Sequence, residues 1–189
     1  MTDQAAGKPP RRVFGEDIEL TALVVTASDR GAAGERADSS GQKVTERLTA
    51  LGFQVERRVV PDEQSLLESV LRDGTTRHRL VVTTGGTGLT PRDVTPQATL
   101  AVIDYQVPGM AEAMRAAGRL YTPLADLSRA VVGVRAGSLI INLPGSPKAA
   151  IESLDAIVAV IPHALETLAG PFDHGLRAAA RPRPVEGDG

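Results

Sequence analysis

Apolar residues along the middle of the chain fall alternately into short continuous runs and helical stripes. Leu20–Ala27 (LTALVVTA) is a nearly unbroken apolar run, the pattern of a strand buried on both faces of a parallel sheet. Val44, Leu48 and Leu51 recur at i, i+4 and i+7, and Gly52 is placed to end that helix as its C′ residue. Phe53–Val60 reads as a second strand, and its charged trio Glu56, Arg57 and Arg58 puts it near a sheet edge. Pro61-Asp62-Glu63 opens a helix carrying Leu66, Leu67, Val70 and Leu71. Leu80–Thr84 is a third buried strand, running straight into Gly85-Gly86-Thr87-Gly88. Thr95-Pro96 opens a further helix, with proline where its missing N–H costs nothing. Pro108–Gly118 is an alanine-rich helix. Val131–Val134 and Leu139–Leu143 flank Ala136-Gly137, a hairpin turn that makes one strand antiparallel. A last helix runs from about Pro147 to Ile161, and Pro162 bends it before HALETLAG.

This alternation predicts a three-layer α/β/α fold around a mostly parallel sheet with one antiparallel strand. Ligands of such sheets bind at the carboxyl ends of strands, near a reversal of strand order. The segments after Ala27, Thr84 and Leu143 are therefore where chemistry is expected. Residues 18–171 make up the expected folded domain. Residues 1–17 and 172–189, rich in proline, glycine and charge, are expected to be disordered tails. No apolar leader or membrane-length stretch is visible, so a cytoplasmic protein without membrane association is expected.

Composition narrows the chemistry. A count of 21 Lys+Arg against 23 Asp+Glu gives a net charge of −2, which argues against a nucleic-acid partner held by backbone charge. The absence of cysteine excludes disulfides, thiolate metal sites and cysteine nucleophiles. The three histidines, His78, His163 and His174, show no metal-ligand spacing. No Gly-x-Ser-x-Gly elbow is present, so a serine-hydrolase triad is not supported.

The glycine segment, VVTTGGTGLTPRDVTP over residues 81–96, is the richest candidate. Its amides, with the Thr84 and Thr87 hydroxyls, suit an anion cradle; the plain alternative is a tight turn. It is not a Walker A loop, and Pro91 stands where a dinucleotide fingerprint needs its third glycine. Asp93 and Asp62 each have two readings. Either carboxylate could cap the helix that follows, or serve beside the cradle with a divalent cation between carboxylate and phosphate. Paired carboxylates and a phosphate cradle on one face suit phosphoryl or nucleotidyl transfer. Pro144-Gly145-Ser146-Pro147-Lys148 is either a turn into a helix or a second anion site, with the Ser146 hydroxyl and Lys148 charge in reach. Ser28-Asp29-Arg30 with Asp38-Ser39-Ser40-Gly41 is the third candidate loop.

These segments together resemble the MogA/MoaB-type molybdopterin-binding family of molybdenum-cofactor biosynthesis, which includes the gephyrin G domain. The resemblance is carried by VVTTGGTGLTPRDVTP, Pro108-Gly109-Met110, LSRAVVGVR and LIINLPGSPKA, and spans about residues 20–170. It implies a molybdopterin-binding-domain fold and a homotrimer, or a hexamer in some members. It also implies molybdopterin adenylyltransfer: Mg2+ and ATP are used, and AMP passes to the terminal phosphate of molybdopterin with release of pyrophosphate. The family's two essential aspartates, catalytic and metal-binding, fall on Asp62 and Asp93. Substrate binding falls on Ser28, on Thr84, Gly85, Gly86, Thr87 and Gly88, and on Pro144, Gly145, Ser146, Pro147 and Lys148. Tyr105 stands where many relatives carry arginine. Alternatives within the resemblance are a non-catalytic molybdopterin carrier and a pterin-4-alpha-carbinolamine dehydratase. Other cofactor-assembly enzymes are the implied protein partners.

Overall fold

The computed structural model describes residues 20–170, so the expected tails at 1–17 and 172–189 lie outside the described residues. Six strands form one sheet: β1 Thr21–Ala27, β2 Gln54–Val60, β3 Leu80–Thr84, β4 Tyr105–Gln106, β5 Val132–Arg135 and β6 Ser138–Leu143. Their spatial order is β2-β1-β3-β6-β5-β4. β1, β2, β3 and β6 run parallel, while β5 is antiparallel to both its neighbours, so the sheet is mostly parallel with one reversed strand.

The helices are α1 Asp29–Ala32, α2 Ser39–Ala50, α3 Gln64–Arg77, α4 Thr95–Leu100, α5 Pro108–Arg119, α6 Pro147–Ile157 and α7 Ile161–Ala169, with a 3₁₀ turn at Pro123–Leu127. Strand side chains alternate between two cores. Ala22, Val24, Leu80 and Val82 pack with α2, α5, α6 and α7 through Val44, Leu48, Met114, Leu154 and Leu165. Leu23, Val25 and Val81 pack with α3 and α4 through Leu67, Leu71 and Ala98. Strands buried on both faces need no polar alternation, which is why β1 and β3 read as continuous apolar runs. β2, with its three charges, is indeed the edge strand.

Three local expectations are corrected. The helix expected from Pro147 to Ile161 ends at Ile157, and α7 starts anew at Ile161 with Pro162 in its first turn. Proline is accommodated there because the first-turn N–H groups lack helical partners anyway. Asp62 does not cap α3; Glu63 holds that position without a side-chain bond. Asp93 does not cap α4, whose N-cap is Val94. The expected hairpin is present, with φ of 48° at Ala136 and 77° at Gly137, the paired positive values of a type I′ turn. Among the described residues no helix is long and apolar enough to cross a membrane.

Candidate active site

Parallel register brings the carboxyl ends of four strands to one edge: Ala27 pairs with Val60, Thr26 with Thr84, and Thr84 with Leu143. The chain leaves β1 toward β2 on one side and β3 on the other, so strand order reverses between β1 and β3. A crevice at that point is the usual ligand position in an open α/β sheet. Here it is a cavity of about 370 Å³ lined by Thr26, Ser28, Asp38, Ser40, Thr84, Gly85, Gly145 and Ser146, among others.

The glycine loop is held to this edge by backbone contact. Gly85 N–H donates to Leu143 O at 3.2 Å, and Thr95 Oγ1 donates to Gly85 O at 2.9 Å. Gly85 has φ +89°, and a Cβ there would lie 2.5 Å from Ala27 O. No other residue type fits so close a backbone approach without a shift.

The two aspartates flank this loop. A Cβ on Gly86 would lie 3.4 Å from Asp62 Oδ1, and one on Gly88 would lie 3.0 Å from Asp93 Oδ2. Asp62 is clamped from the side: Asp29 N–H donates to Asp62 Oδ2 and Asp62 N–H donates to Asp29 Oδ1, both at 3.0 Å. Arg92 reaches back from the loop to donate through two nitrogens to the Asp29 carboxylate. Asp93 instead closes its own loop, accepting from Thr90 N–H at 2.8 Å and Thr90 Oγ1 at 2.7 Å. Arg129 pins the same segment, donating to Gly88 O at 2.6 Å and to Asp93 O.

These surroundings push the carboxyls in opposite directions. Burial raises the Asp62 pKa above the ordinary carboxylate value; the Asp29 and Asp93 charges push the same way, against a backbone bond at Asp29 and the Arg92 charge. Burial is also the largest influence on Asp93, yet the Thr90 and Gly88 hydrogen bonds and the Arg129 charge together outweigh it and lower its pKa. Asp29 is lowered too, chiefly by its hydrogen bond from Arg92.

The expected site residues divide among neighbouring places. Ser28, Thr84, Gly85, Gly145 and Ser146 line the 370 Å³ cavity. Asp62 and Asp93 adjoin Gly86 and Gly88 just beyond it. Thr87, Gly88 and Pro144 open instead onto an apolar cavity of about 260 Å³ bordered by Met114, Leu124 and Leu127. Pro147 and Lys148 line neither: Lys148 Nζ lies 3.6 Å from Glu152 Oε1 and over the Tyr121 ring. The cation that lines the cavity is Arg36, whose side chain makes no ion pair with a described residue.

Sequence reasoning held Asp29, Arg92 and Arg129 within the segments it singled out but gave none of them a role of its own. The available signal was that Asp29 and Arg92 lie directly beside Ser28 and Asp93 in the segments already singled out. Arg129 falls in the LSRAVVGVR segment, but its partner Asp93 is 36 residues away in sequence, so the contact could not be read locally.

Residues 23–163 match the family described as Probable molybdopterin binding domain. The molybdopterin adenylyltransferase of Escherichia coli K12 is 40% identical over 167 residues, covering 79% of this chain and 85% of that protein. That of Helicobacter pylori J99 is 42% identical over 156 residues, covering 79% and 88%. The crystal structure of the molybdopterin biosynthesis enzyme MoaB of Thermus thermophilus superposes with a TM-score of 0.75 at 47% identity, covering 80% of this chain and 97% of that one.

Proposed function

Since the chain belongs to the molybdopterin-binding family of molybdenum-cofactor biosynthesis proteins, we propose that it is an enzyme that adenylylates molybdopterin. An oxygen of the terminal phosphate of molybdopterin attacks the α-phosphorus of ATP. A new P–O–P bond forms, the α–β anhydride breaks, and its electron pair leaves with pyrophosphate. The observation that carries this reading is one juxtaposition: a glycine loop between two carboxylates, beside a polar cavity at the switch in strand order.

A phosphate monoester is largely dianionic at neutral pH, since its second pKa is about 6, so the attack needs no strong general base. The barrier is mutual repulsion: two unit charges ~4 Å apart repel by about 4 kcal/mol at an effective dielectric of 20. The main-chain amides of Gly86 and Thr87 are the ones to relieve it, since those of Gly85 and Gly88 are bonded to Leu143 O and to Asp93, and Mg2+ arriving as part of the Mg·ATP substrate would add to this. Among the described residues no group of three acidic or histidine ligands gathers as a preformed metal cage. Singly placed carboxylates suit Mg2+, which keeps water and phosphate oxygens as its other ligands. Asp93, held ionised by the bonds from Thr90, and Asp62 are the residues to hold that ion. Ser28, Gly85, Gly145 and Ser146 line the space for the substrates. The exposed run of Leu120, Tyr121, Leu124 and Leu127 supports self-association, for which we propose the homotrimer.

Neither described histidine supports the dehydratase alternative. His78 precedes β3 at the far end of the sheet, 3.1 Å from Glu56, and His163 lies on α7. The test is incubation of the protein with molybdopterin and Mg·ATP. Adenylylated pterin and pyrophosphate are expected from the wild type, and Asp93→Asn is expected to bind pterin yet yield neither. Folded wild type that binds pterin but forms no product would establish a carrier instead. Turnover by Asp93→Asn at the wild-type rate would remove Asp93 from the mechanism.

A further inference from the structure

The inner wall of the 370 Å³ cavity holds a row of hydroxyls ending on a carboxylate. Thr26 Oγ1 lies 2.9 Å from Asp38 Oδ1, Thr84 Oγ1 lies 3.2 Å from Thr26 Oγ1, and Ser40 Oγ lies 3.1 Å from Thr84 Oγ1. All four residues line the cavity. Asp38 Oδ1 also accepts the Gly41 N–H at 2.9 Å, which fixes the carboxylate as the N-cap of α2.

Proton counting gives this row one direction. An ionised carboxylate has no proton to give, and each hydroxyl has one. The Thr26 proton therefore goes to Asp38. The contact between Thr84 and Thr26 then requires the Thr84 proton, and the contact between Ser40 and Thr84 requires the Ser40 proton. With its only proton committed inward, Ser40 can offer the cavity lone pairs and nothing else. Each hydroxyl of the row has a partner, which holds it firmly in a low-dielectric interior: Thr84 is fully buried and Thr26 and Ser40 are nearly so, while the second carboxylate oxygen, Asp38 Oδ2, is buried without a hydrogen bond.

A hydroxyl that can only accept hydrogen bonds favours a ligand N–H and repels a carbonyl oxygen set against it. We propose that Ser40 is a specificity-determining contact, oriented through Thr84 and Thr26 by Asp38, that selects a heteroaromatic amine over the corresponding carbonyl. This rests on the adenylyltransferase reading of the site, and both substrates of that reaction carry such an amine: adenine at C6 and the pterin ring at C2.

The test uses binding, not turnover. Calorimetric titrations of the full chain compare ATP with ITP, which replaces the C6 amine by a carbonyl. A second arm compares pterin with lumazine, its 2-oxo counterpart. The amine member of one pair is expected to bind about tenfold or more tightly, because the wrong partner leaves the buried acceptor unpaired. The pair that discriminates identifies the occupant. Ser40→Ala is expected to bring that ratio within about threefold. Thr26→Val keeps the strand's shape but removes the middle link, so Thr84 can donate to Ser40 and the Ser40 proton can turn toward the ligand. The ratio should narrow there too, with Ser40 still present, an outcome that simple loss of a contact does not produce. Should one variant fail to fold, the other decides. Equal binding within both pairs by the wild type overturns the proposal, as does the full ratio persisting in a folded variant. Selective binding without AMP transfer would defeat the adenylyltransferase reading and leave this one standing. AMP transfer with no selectivity would do the reverse.

Discussion

Replacing Gly85 by alanine tests the claim that close backbone approach between β1 and the glycine loop builds the site. The added Cβ would lie 2.5 Å from Ala27 O and 3.6 Å from Ala27 C, both main-chain atoms that cannot rotate aside. The φ of +89° adds conformational strain for any side-chain-bearing residue. Strain of that kind costs about 1–2 kcal/mol, and forcing packed segments apart costs about 1–3 kcal/mol. The expected loss is therefore about 3 kcal/mol out of a typical total of roughly 5–15. For a chain of this size that lowers Tm by about 6–12 °C. Relief of the clash also strains two bonds of the loop, from Gly85 N–H to Leu143 O and from Thr95 Oγ1 to Gly85 O, so nucleotide affinity should fall with stability. Urea denaturation measures the loss as a lower midpoint at unchanged slope. Gly109→Ala is the control: Gly109 is the second residue of α5, and no atom lies within 4 Å of its added Cβ. It should be neutral or stabilising by up to about 1 kcal/mol, as alanine favours helix. A Gly85→Ala protein within about 0.5 kcal/mol of the wild type, the range of ordinary surface changes, would refute the reasoning.

Two further outcomes follow from the charges around the loop. Arg92→Ala removes the cation that neutralises Asp29 and lowers Asp62, so the already raised Asp62 pKa rises further. If ionised Asp62 is the working form, the acidic limb of kcat/KM moves to higher pH, and a pH–rate profile with an unshifted limb would exclude this. The sign is opposite for stability at the two ends of the chain of contacts: the raised Asp62 favours folding at pH below its unfolded pKa and loses that as pH rises, whereas the lowered Asp29 and Asp93 favour it above theirs and lose it on acidification. Arg129→Ala frees the carbonyls of Gly88 and Asp93 and should cost about 2–3 kcal/mol with a raised KM for ATP. Arg129→Lys should recover only part of it, because an ammonium donates from a single nitrogen and cannot reproduce the separated Nε and Nη2 donors that reach the two carbonyls; thermal melts and initial rates check both.

Much of the fold was legible because its central strands are buried on both faces and its turns carry glycine or proline. β1 and β3 show as apolar runs, Gly52 ends α2, and Ala136-Gly137 makes the hairpin. β4 left no pattern, since Tyr105 and Gln106 are both exposed and pair only through main chain with β5. The break at residues 158–160 was hidden because the apolar spacing continues across it, from Leu154 and Ile157 to Ile161 and Leu165. In the site, glycine spacing singled out a loop that lies at the strand ends, and the structure sets both aspartates beside it. Their partners could not be read from spacing, because Asp29, Asp62 and Arg92 come from three separate strand ends and meet only after the sheet has formed. Lys148, singled out for its place beside a loop of the site, has its ammonium against Glu152 and the Tyr121 ring, contacts that spacing could not reveal.

The last-made strand of the sheet lies in its middle. β6 pairs with β3 on one side and β5 on the other, yet its residues, 138–143, come late in translation. As the ribosome extends the chain, β3, with all five of its residues destined for burial, waits with one hydrogen-bonding edge open. An open apolar edge is a template for pairing with other chains. The nascent protein is therefore most vulnerable to aggregation just before β6 emerges, and a chain cut short of residue 138 would carry that exposed edge permanently.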